Sequence, residues 1–432
     1  MTGAVGAVGA VDAADAVASW RRAGVAGVAV GVIAGAAAAG VAIERLTVGR
    51  STRRRARLAL DATGPYGALR GTPGTAAADD GTQLYYEVDD IAPETGTGAG
   101  SAPRRRRLFG RKAPAPVTVV FSHGYCLNQD SWHFQRAALR GLVRTVHWDQ
   151  RSHGRSERGV SQSVSQAGPD AVPVTIDRLG RDLKAVIDAA APEGPLVLVG
   201  HSMGGMTMMA LADQYPELVR DRVVGAAFVG TSSGRLAEVS YGLPAAGVNA
   251  VRRILPGVLR ALGSQAELVE RGRRMTADLF AGLIKRYSFS SKDVDPAVVR
   301  FAERLIESTP IDVVAEFYPA FTAHDKVRAL AVFRDVPTLV LAGESDLVTP
   351  SSHSETIADL LPDAELVIVP DAGHLVMMEH PEAVTDRLAD LLVRVGAVAA
   401  GAAGTAGAAG TRGTEAGPSN VGTHGSTAPP GD

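Results

Sequence analysis

Cysteine is nearly absent from this chain of 432 residues: Cys126 is the only one. A single thiol excludes any disulfide within the chain, which fits a reducing compartment and also many secreted bacterial proteins. A bias toward charge of one sign is lacking as well. Lys and Arg number 44 against 46 Asp and Glu, a net charge of −2, so nothing points to nucleic acid as a partner. Aromatic residues are scarce at 5%, whereas apolar residues reach 46%. That apolar content can bury a sizeable core, and the length suits one large domain with additions or two modest ones.

Long uncharged runs are also few. Residues 23–43, "AGVAGVAVGVIAGAAAAGVAI", carry no charge and contain only Ala, Gly, Val and Ile. As a helix they would span roughly 30 Å, about a bilayer core. Gly27, Gly31 and Gly35 would form a small-residue face for helix pairing. Arg21 and Arg22 precede the run, and Arg45, Arg50, Arg53, Arg54, Arg55 and Arg57 follow it. The expectation is membrane association through residues 23–43, with the downstream catalytic part on the cytoplasmic side. Two other readings stay open: a cleaved export signal, suggested by the arginine pair, and a cytoplasmic soluble chain in which the run has no membrane role.

The remaining organisation follows from composition. Residues 1–79 form an N-terminal segment with the anchor and a basic linker, and 396–432 a Gly/Ala/Thr/Pro-rich disordered tail that cannot build a core. The basic stretch 104–112 is a solvated loop or a contact with anionic headgroups. Between these edges, apolar runs at 83–88, 117–121, 145–148, 195–199, 223–229, 337–342 and 365–369 read as strands, most of them buried on both faces. Ile176, Leu179, Leu183, Val186 and Ile187 recur at helical spacing, as do Val384, Leu388, Leu391 and Leu392. Strands alternating with helices predict an α/β fold with a mostly parallel sheet covered by helices. The core runs over 80–230 and 337–395. Residues 231–336 are too long for a loop, have helical character, and read as an inserted helical cap.

The chemistry is concentrated in "VLVGHSMGGM", residues 197–206. An apolar strand runs into Gly200-His201-Ser202-Met203-Gly204, and helix-forming sequence follows. This is the strand–turn–helix setting of a nucleophile elbow, in which glycines two before and two after the serine let neighbouring backbone pass. A serine hydroxyl needs a base, and the base an orienting group. His374 follows the 365–369 strand and Asp346 the 337–342 strand; Glu344 is the second choice for the carboxylate. Acyl transfer also needs donors for the developing oxyanion. The backbone N–H groups of Tyr125, after the "SHGY" turn, and of Met203, at the start of the elbow helix, are the natural pair. His123 reads as a structural hydrogen-bonder and Cys126 as a small buried thiol.

These stretches together resemble the α/β-hydrolase superfamily over residues 80–394. The resemblance rests on "SHGY", "WDQRSHGRS", "GHSMGG", "GESDLVTP" and "DAGHLVMMEHPE". "DQRSHGRS" is similar to the family's structural D-x-R-G-x-G-x-S turn, with Ser152 in place of the first glycine. The resemblance implies Ser202 as nucleophile, Asp346 as acid, His374 as base, and Tyr125 and Met203 as oxyanion hole, in a capped esterase- or lipase-like subgroup. Epoxide hydrolases and haloalkane dehalogenases carry aspartate at the elbow, so Ser202 argues against both. No cofactor and no metal are implied. The expected partner is a small-molecule acyl substrate, a carboxylic ester cleaved through an acyl-enzyme. Cap residues Leu279, Phe280, Leu283, Phe317, Tyr318 and Phe321 suggest that it is lipophilic. Thioesterase, amidase or cofactor-free perhydrolase chemistry, and a non-catalytic ligand-binding fold, are the alternatives.

Overall fold

Apolar strands buried on both faces set the architecture. In the computed structural model, which describes residues 66–92, 115–159, 174–240 and 277–398 and scattered positions between 244 and 257, eight strands form one sheet. They are β1 (Thr72–Ala77), β2 (Gln83–Asp89), β3 (Thr118–Ser122), β4 (Arg144–Trp148), β5 (Leu196–His201), β6 (Val223–Val229), β7 (Thr338–Gly343) and β8 (Glu365–Val369), in the order β1-β2-β4-β3-β5-β6-β7-β8. β1 and β2 pair antiparallel, as do β2 and β4; all other neighbours run parallel.

Every residue of β3, β5 and β7 is buried, as a strand covered on both faces must be. Successive side chains enter opposite cores. Val119, Phe121, Val197, Val199, Leu339 and Leu341 belong to one; Val120, Leu196, Leu198 and Val340 belong to the other. Helices α1 (His133–Leu139), α9 (Val376–Glu379) and α10 (Pro381–Arg394) supply side chains to the first core. Helices α2 (Ile176–Ala190), α3 (Met203–Gln214) and α4 (Pro216–Arg222) supply the second. Thr175 caps α2, its side chain accepting from the Arg178 N–H. At Gly180 a Cβ would come within 2.7 Å of the Ala210 backbone, so α2 and α3 touch almost backbone to backbone.

The strand order also locates the site. From β3 the chain steps to β4 on one side, and β5 then returns on the other side of β3. Ligands of open α/β sheets bind at the carboxyl ends of strands at such a switch point. Between β6 and β7 the described chain includes α5 (Ala277–Ser288), α6 (Pro296–Glu307) and α7 (Ile311–Thr322), and α8 (Ser351–Leu360) lies between β7 and β8.

Two expectations require correction. The sheet begins before residue 80: β1 arises from a stretch that reads as linker. Among its residues only Ala76 is fully buried, and Tyr86 lies across Gly74, where a Cβ would meet the ring at 2.4 Å. An edge strand built from Thr, Pro, Gly and Ala shows no apolar alternation. The second correction concerns the membrane. Among the described residues, no helix is long and apolar enough to cross a bilayer. Residues 23–43 lie outside the described residues, and their Ala-, Gly- and Val-rich composition carries little insertion energy. Membrane anchoring and the localisation built on it are therefore not carried forward. The 104–112 stretch and residues 399–432 also lie outside the described residues.

The turn after β4 is held by a buried ion cluster. The Arg151 Nε and Nη2 each donate to Asp182 at 2.5 Å, and Nη1 donates to Asp80 at 2.8 Å. Burial pushes the Asp182 carboxyl up to about 6 even with the guanidinium beside it. Ser152 adopts φ 64°, which explains why the similar family turn uses glycine there. Arg151→Met would strand the buried Asp182 carboxylate, while Asp80 keeps Arg178 at 2.6 Å, so we expect a loss of about 3–5 kcal/mol. Chemical denaturation of the variant against wild type measures it.

Candidate active site

Ser202 sits in the turn between β5 and α3 with φ 51° and ψ −117°. This backbone region is costly for a residue with a Cβ. The sequence imposes it through its flanking glycines. A Cβ at Gly200 would lie 2.6 Å from the Gly204 carbonyl oxygen, and a Cβ at Gly204 only 2.2 Å from the Ser122 oxygen. The start of α3 is thereby pressed against the ends of β3 and β5. The Ser202 N–H donates to the Val229 carbonyl at 3.0 Å, and the Thr231 hydroxyl donates to the Ser202 carbonyl at 2.6 Å. Although Ser202 occupies the N-cap of α3, its side chain makes no capping hydrogen bond. The ordinary structural use of a serine here is thus not made.

Asp346 follows β7 and is buried. One carboxylate oxygen, Oδ1, accepts from the N–H groups of Val348 at 2.7 Å and Thr349 at 2.9 Å. The other, Oδ2, lies 2.8 Å from His374 Nδ1 and 2.9 Å from the Thr349 hydroxyl. Burial alone would raise the carboxyl; the His374 imidazole beside it, then the Thr349 and Val348 amides, outweigh this and hold it below the ordinary value. Because a carboxylate only accepts, Nδ1 of His374 carries a hydrogen, which leaves Nε2 as the acceptor of a neutral ring. Glu344, the second choice, is exposed and makes no hydrogen bond to His374 among the described residues.

His374 lies in the loop after β8, and its position is fixed from three sides. The His201 Nε2 donates to the His374 carbonyl at 2.9 Å, and the two rings lie 4.8 Å apart. The Leu375 N–H donates to the Ser288 carbonyl at 2.9 Å. Glu379 accepts from the Gly373 N–H at 2.6 Å with one oxygen, and from the Ser290 and Ser291 N–H groups with the other. A Cβ at Gly373 would meet the Phe289 backbone at 2.9 Å, so glycine is required for that approach. Asp346 and His374 thus meet after β7 and β8 beside Gly230, the residue that follows the Val229 holding the Ser202 N–H. The Gly230 carbonyl accepts from Thr349, and a Cβ on Gly230 would meet the Asp346 carboxylate and the His374 carbonyl at 3.6 and 3.5 Å.

Gly124 passes Ser202 at contact distance, since a Cβ there would lie 3.2 Å from the serine Cβ. Among the described residues, no acceptor takes up the N–H of Tyr125 or of Met203. The Tyr125 hydroxyl donates to the Val314 carbonyl, and its ring packs on Phe317 and Phe321. Met203, Met206, Leu236, Val313 and Phe317 form an apolar cluster beside it. Phe317, Tyr318 and Phe321 all lie on α7; the side chains of Leu279, Phe280 and Leu283 lie outside the described residues.

Three buried histidines around the site are neutral. Burial holds His123 and His201 down to about 3 and His153 to about 4. Sequence reasoning passed over His201, Thr349 and Glu379. Only Thr349 left a local signal: an Asp followed by a Thr three positions on, as in a turn closed by side-chain acceptance. Cys126 is half-buried, and its N–H donates to His153 Nε2 at 3.2 Å. Among the described residues, no group of three or more His, Cys, Asp or Glu is arranged to hold a metal ion.

Comparison with known proteins agrees with this architecture. The family model described as alpha/beta hydrolase fold matches residues 117–381. The chain is 31% identical over 297 residues to the sn-1-specific diacylglycerol lipase ABHD11 of Mus musculus, covering 67% of this chain and 85% of that protein. It is 28% identical over 275 residues to 3-oxoadipate enol-lactonase 1 of Acinetobacter baylyi, covering 62% of this chain and 85% of that protein. Among solved structures, the enol-lactonase from Burkholderia xenovorans has a TM-score of 0.53 at 24% identity, covering 74% of this chain and 100% of that one. The esterase RhEst1 from a Rhodococcus species reaches 0.54 at 20% identity, covering 75% of this chain and 99% of that one. The two structures share the fold. The matched model covers more than half of the sequence, from β3 to the start of α10, and on that ground the chain belongs to the alpha/beta hydrolase family.

Proposed function

We propose that this protein is a serine hydrolase that cleaves a carboxylic ester, of lipophilic character, through an acyl-enzyme. One observation carries the reading: a buried carboxylate–imidazole pair, Asp346 and His374 at 2.8 Å, beside a serine whose hydroxyl is not spent on capping its helix. The names of the similar proteins, a diacylglycerol lipase and an enol-lactonase, support the ester over other acyl bonds. Tyr125, Met206, Phe317 and Phe321 give the site an apolar wall, which favours a substrate with hydrocarbon on at least one side.

The steps follow from the groups present. The Ser202 hydroxyl attacks the ester carbonyl carbon, and His374 Nε2 takes its proton. Negative charge gathers on the former carbonyl oxygen, where the Tyr125 and Met203 N–H groups meet it. Asp346 keeps the Nδ1 hydrogen in place and stabilises the imidazolium. Collapse breaks the bond to the alcohol, which leaves with the proton from His374. A water, deprotonated by the same nitrogen, then attacks the acyl-Ser202 carbonyl and releases the acid.

A fluorophosphonate probe is expected to label the wild type and not Ser202→Ala, and ester turnover is expected to fall roughly 10⁶-fold in that variant. Labelling of folded Ser202→Ala, or no labelling of folded wild type, would sink the proposal. A panel of para-nitrophenyl esters is expected to show kcat/KM rising with acyl length from acetate; a flat or falling profile would refute the lipophilic preference.

Asp346→Asn is expected to lower kcat by about 10⁴-fold because the imidazole takes the wrong tautomer. Its stability effect has a defined sign. The folded carboxyl titrates below its ordinary value of 3.8, so its contribution is fully present above that pH and is lost as pH falls through the lowered folded value. Denaturation curves of wild type and Asp346→Asn should therefore differ at neutral pH and converge as the solution is acidified below about 4.

A further inference from the structure

The two amides assigned to the oxyanion lie on different elements, Tyr125 in the loop after β3 and Met203 at the start of α3. A donor pair works only if both hydrogens aim at one point, so something must hold the loop and the helix in register. Three fully buried polar residues join them.

His123 Nδ1 lies 2.7 Å from the Gly124 carbonyl oxygen, and the Leu127 N–H reaches the same oxygen at 3.2 Å. A carbonyl only accepts, so Nδ1 carries the hydrogen. The Gln150 N–H donates to His123 Nε2 at 2.9 Å, which requires the same neutral tautomer. Two donors therefore pin the Gly124 carbonyl. In a trans peptide the N–H points opposite to the C=O. Fixing the Gly124 oxygen thus fixes the direction of the Tyr125 N–H.

The relay continues toward the helix. The Gln150 side-chain amide nitrogen donates to the His123 carbonyl at 2.5 Å, and its oxygen accepts from the Thr207 hydroxyl at 2.8 Å. Thr207 stands one helical turn after Met203, with its hydroxyl 2.9 Å from the Met203 carbonyl. The hydroxyl has one hydrogen. Both partners only accept, so that one hydrogen is shared between the Gln150 oxygen and the Met203 carbonyl and ties the relay to the first turn of α3.

We propose that Thr207, Gln150 and His123 are positioning residues: a buried relay that fixes the direction of the Tyr125 N–H and ties its loop to the first turn of α3, so that its loss lowers turnover and leaves substrate affinity intact. The inference rests on the ester-cleaving reading above.

The test compares wild type, Thr207→Val, Thr207→Ser and Gln150→Leu on para-nitrophenyl butyrate, with Ser202→Ala as control. Thr207→Val keeps the branched shape and removes only the hydroxyl, so it is the variant expected to fold even if Gln150→Leu does not. It is expected to lose roughly tenfold or more in kcat, a fraction of what a whole oxyanion donor supplies. KM should stay within about twofold, as for an interaction made only in the transition state. Binding of an alkyl trifluoromethyl ketone, which forms an oxyanion on the serine, should weaken by the same factor as kcat/KM. Thr207→Ser should restore both. Unchanged kcat in Thr207→Val, or a rise in KM with undiminished ketone binding, overturns the relay. Wild-type turnover that survives in Ser202→Ala overturns the parent reading, and the relay with it.

Discussion

No side chain fits at Gly204. A Cβ there would sit 2.2 Å from the Ser122 carbonyl oxygen, closer than any nonbonded carbon and oxygen can come. The rest of the site depends on that contact. It brings the first turn of α3 against the end of β3, which sets the Met203 amide beside the loop that carries Tyr125. It also forces the chain between β5 and α3 to reverse within one residue, and Ser202 takes the strained conformation that results. The strain is held by the Val229 and Thr231 hydrogen bonds. A core of strands buried on both faces gives that grip its stiffness.

Around the elbow lie several buried polar side chains, many of them paired, although His201 Nδ1 and Arg136 Nη1 have no partner among the described residues. His123, Gln150 and Thr207 bond to one another or to backbone. Arg151 is closed by Asp182 and Asp80, and Arg136 by Glu87 and Asp89. Buried groups of this kind cost several kcal/mol each when left unpaired. The histidines remain neutral because burial disfavours the charged ring. One imidazole is placed differently: the ring of His374 lies with Nδ1 2.8 Å from the buried Asp346 carboxylate.

Much of this was legible in the sequence because the residues concerned are marked locally. Ser202 has glycines at fixed offsets after an apolar strand, and Asp346 and His374 each follow a strand end; the structure pairs Asp346 with His374 at 2.8 Å. The partners that hold them were not legible. His201 meets His374 across 173 positions, and Gln150 meets Thr207 across 57. Neither residue type is unusual where it stands, so only the folded topology gives them meaning. β1 escaped because an edge strand of small residues has no apolar alternation. The 23–43 run lies outside the described residues, among which no helix could cross a bilayer. Absence of charge over a bilayer's length is a necessary feature of a spanning helix and not a sufficient one, since Ala and Gly contribute little transfer energy.

Glu379 has one carboxylate and three amide clients, Gly373 on the His374 loop and Ser290 and Ser291 just past α5. The segment between α5 and α6, inside the β6–β7 insertion, is therefore riveted to the loop bearing the imidazole. A displacement of residues 288–291 would be transmitted straight to His374 and would loosen its grip on Asp346. Residues 288–291 and the His374 loop therefore keep one position together, and losing the Glu379 carboxylate would release both at once.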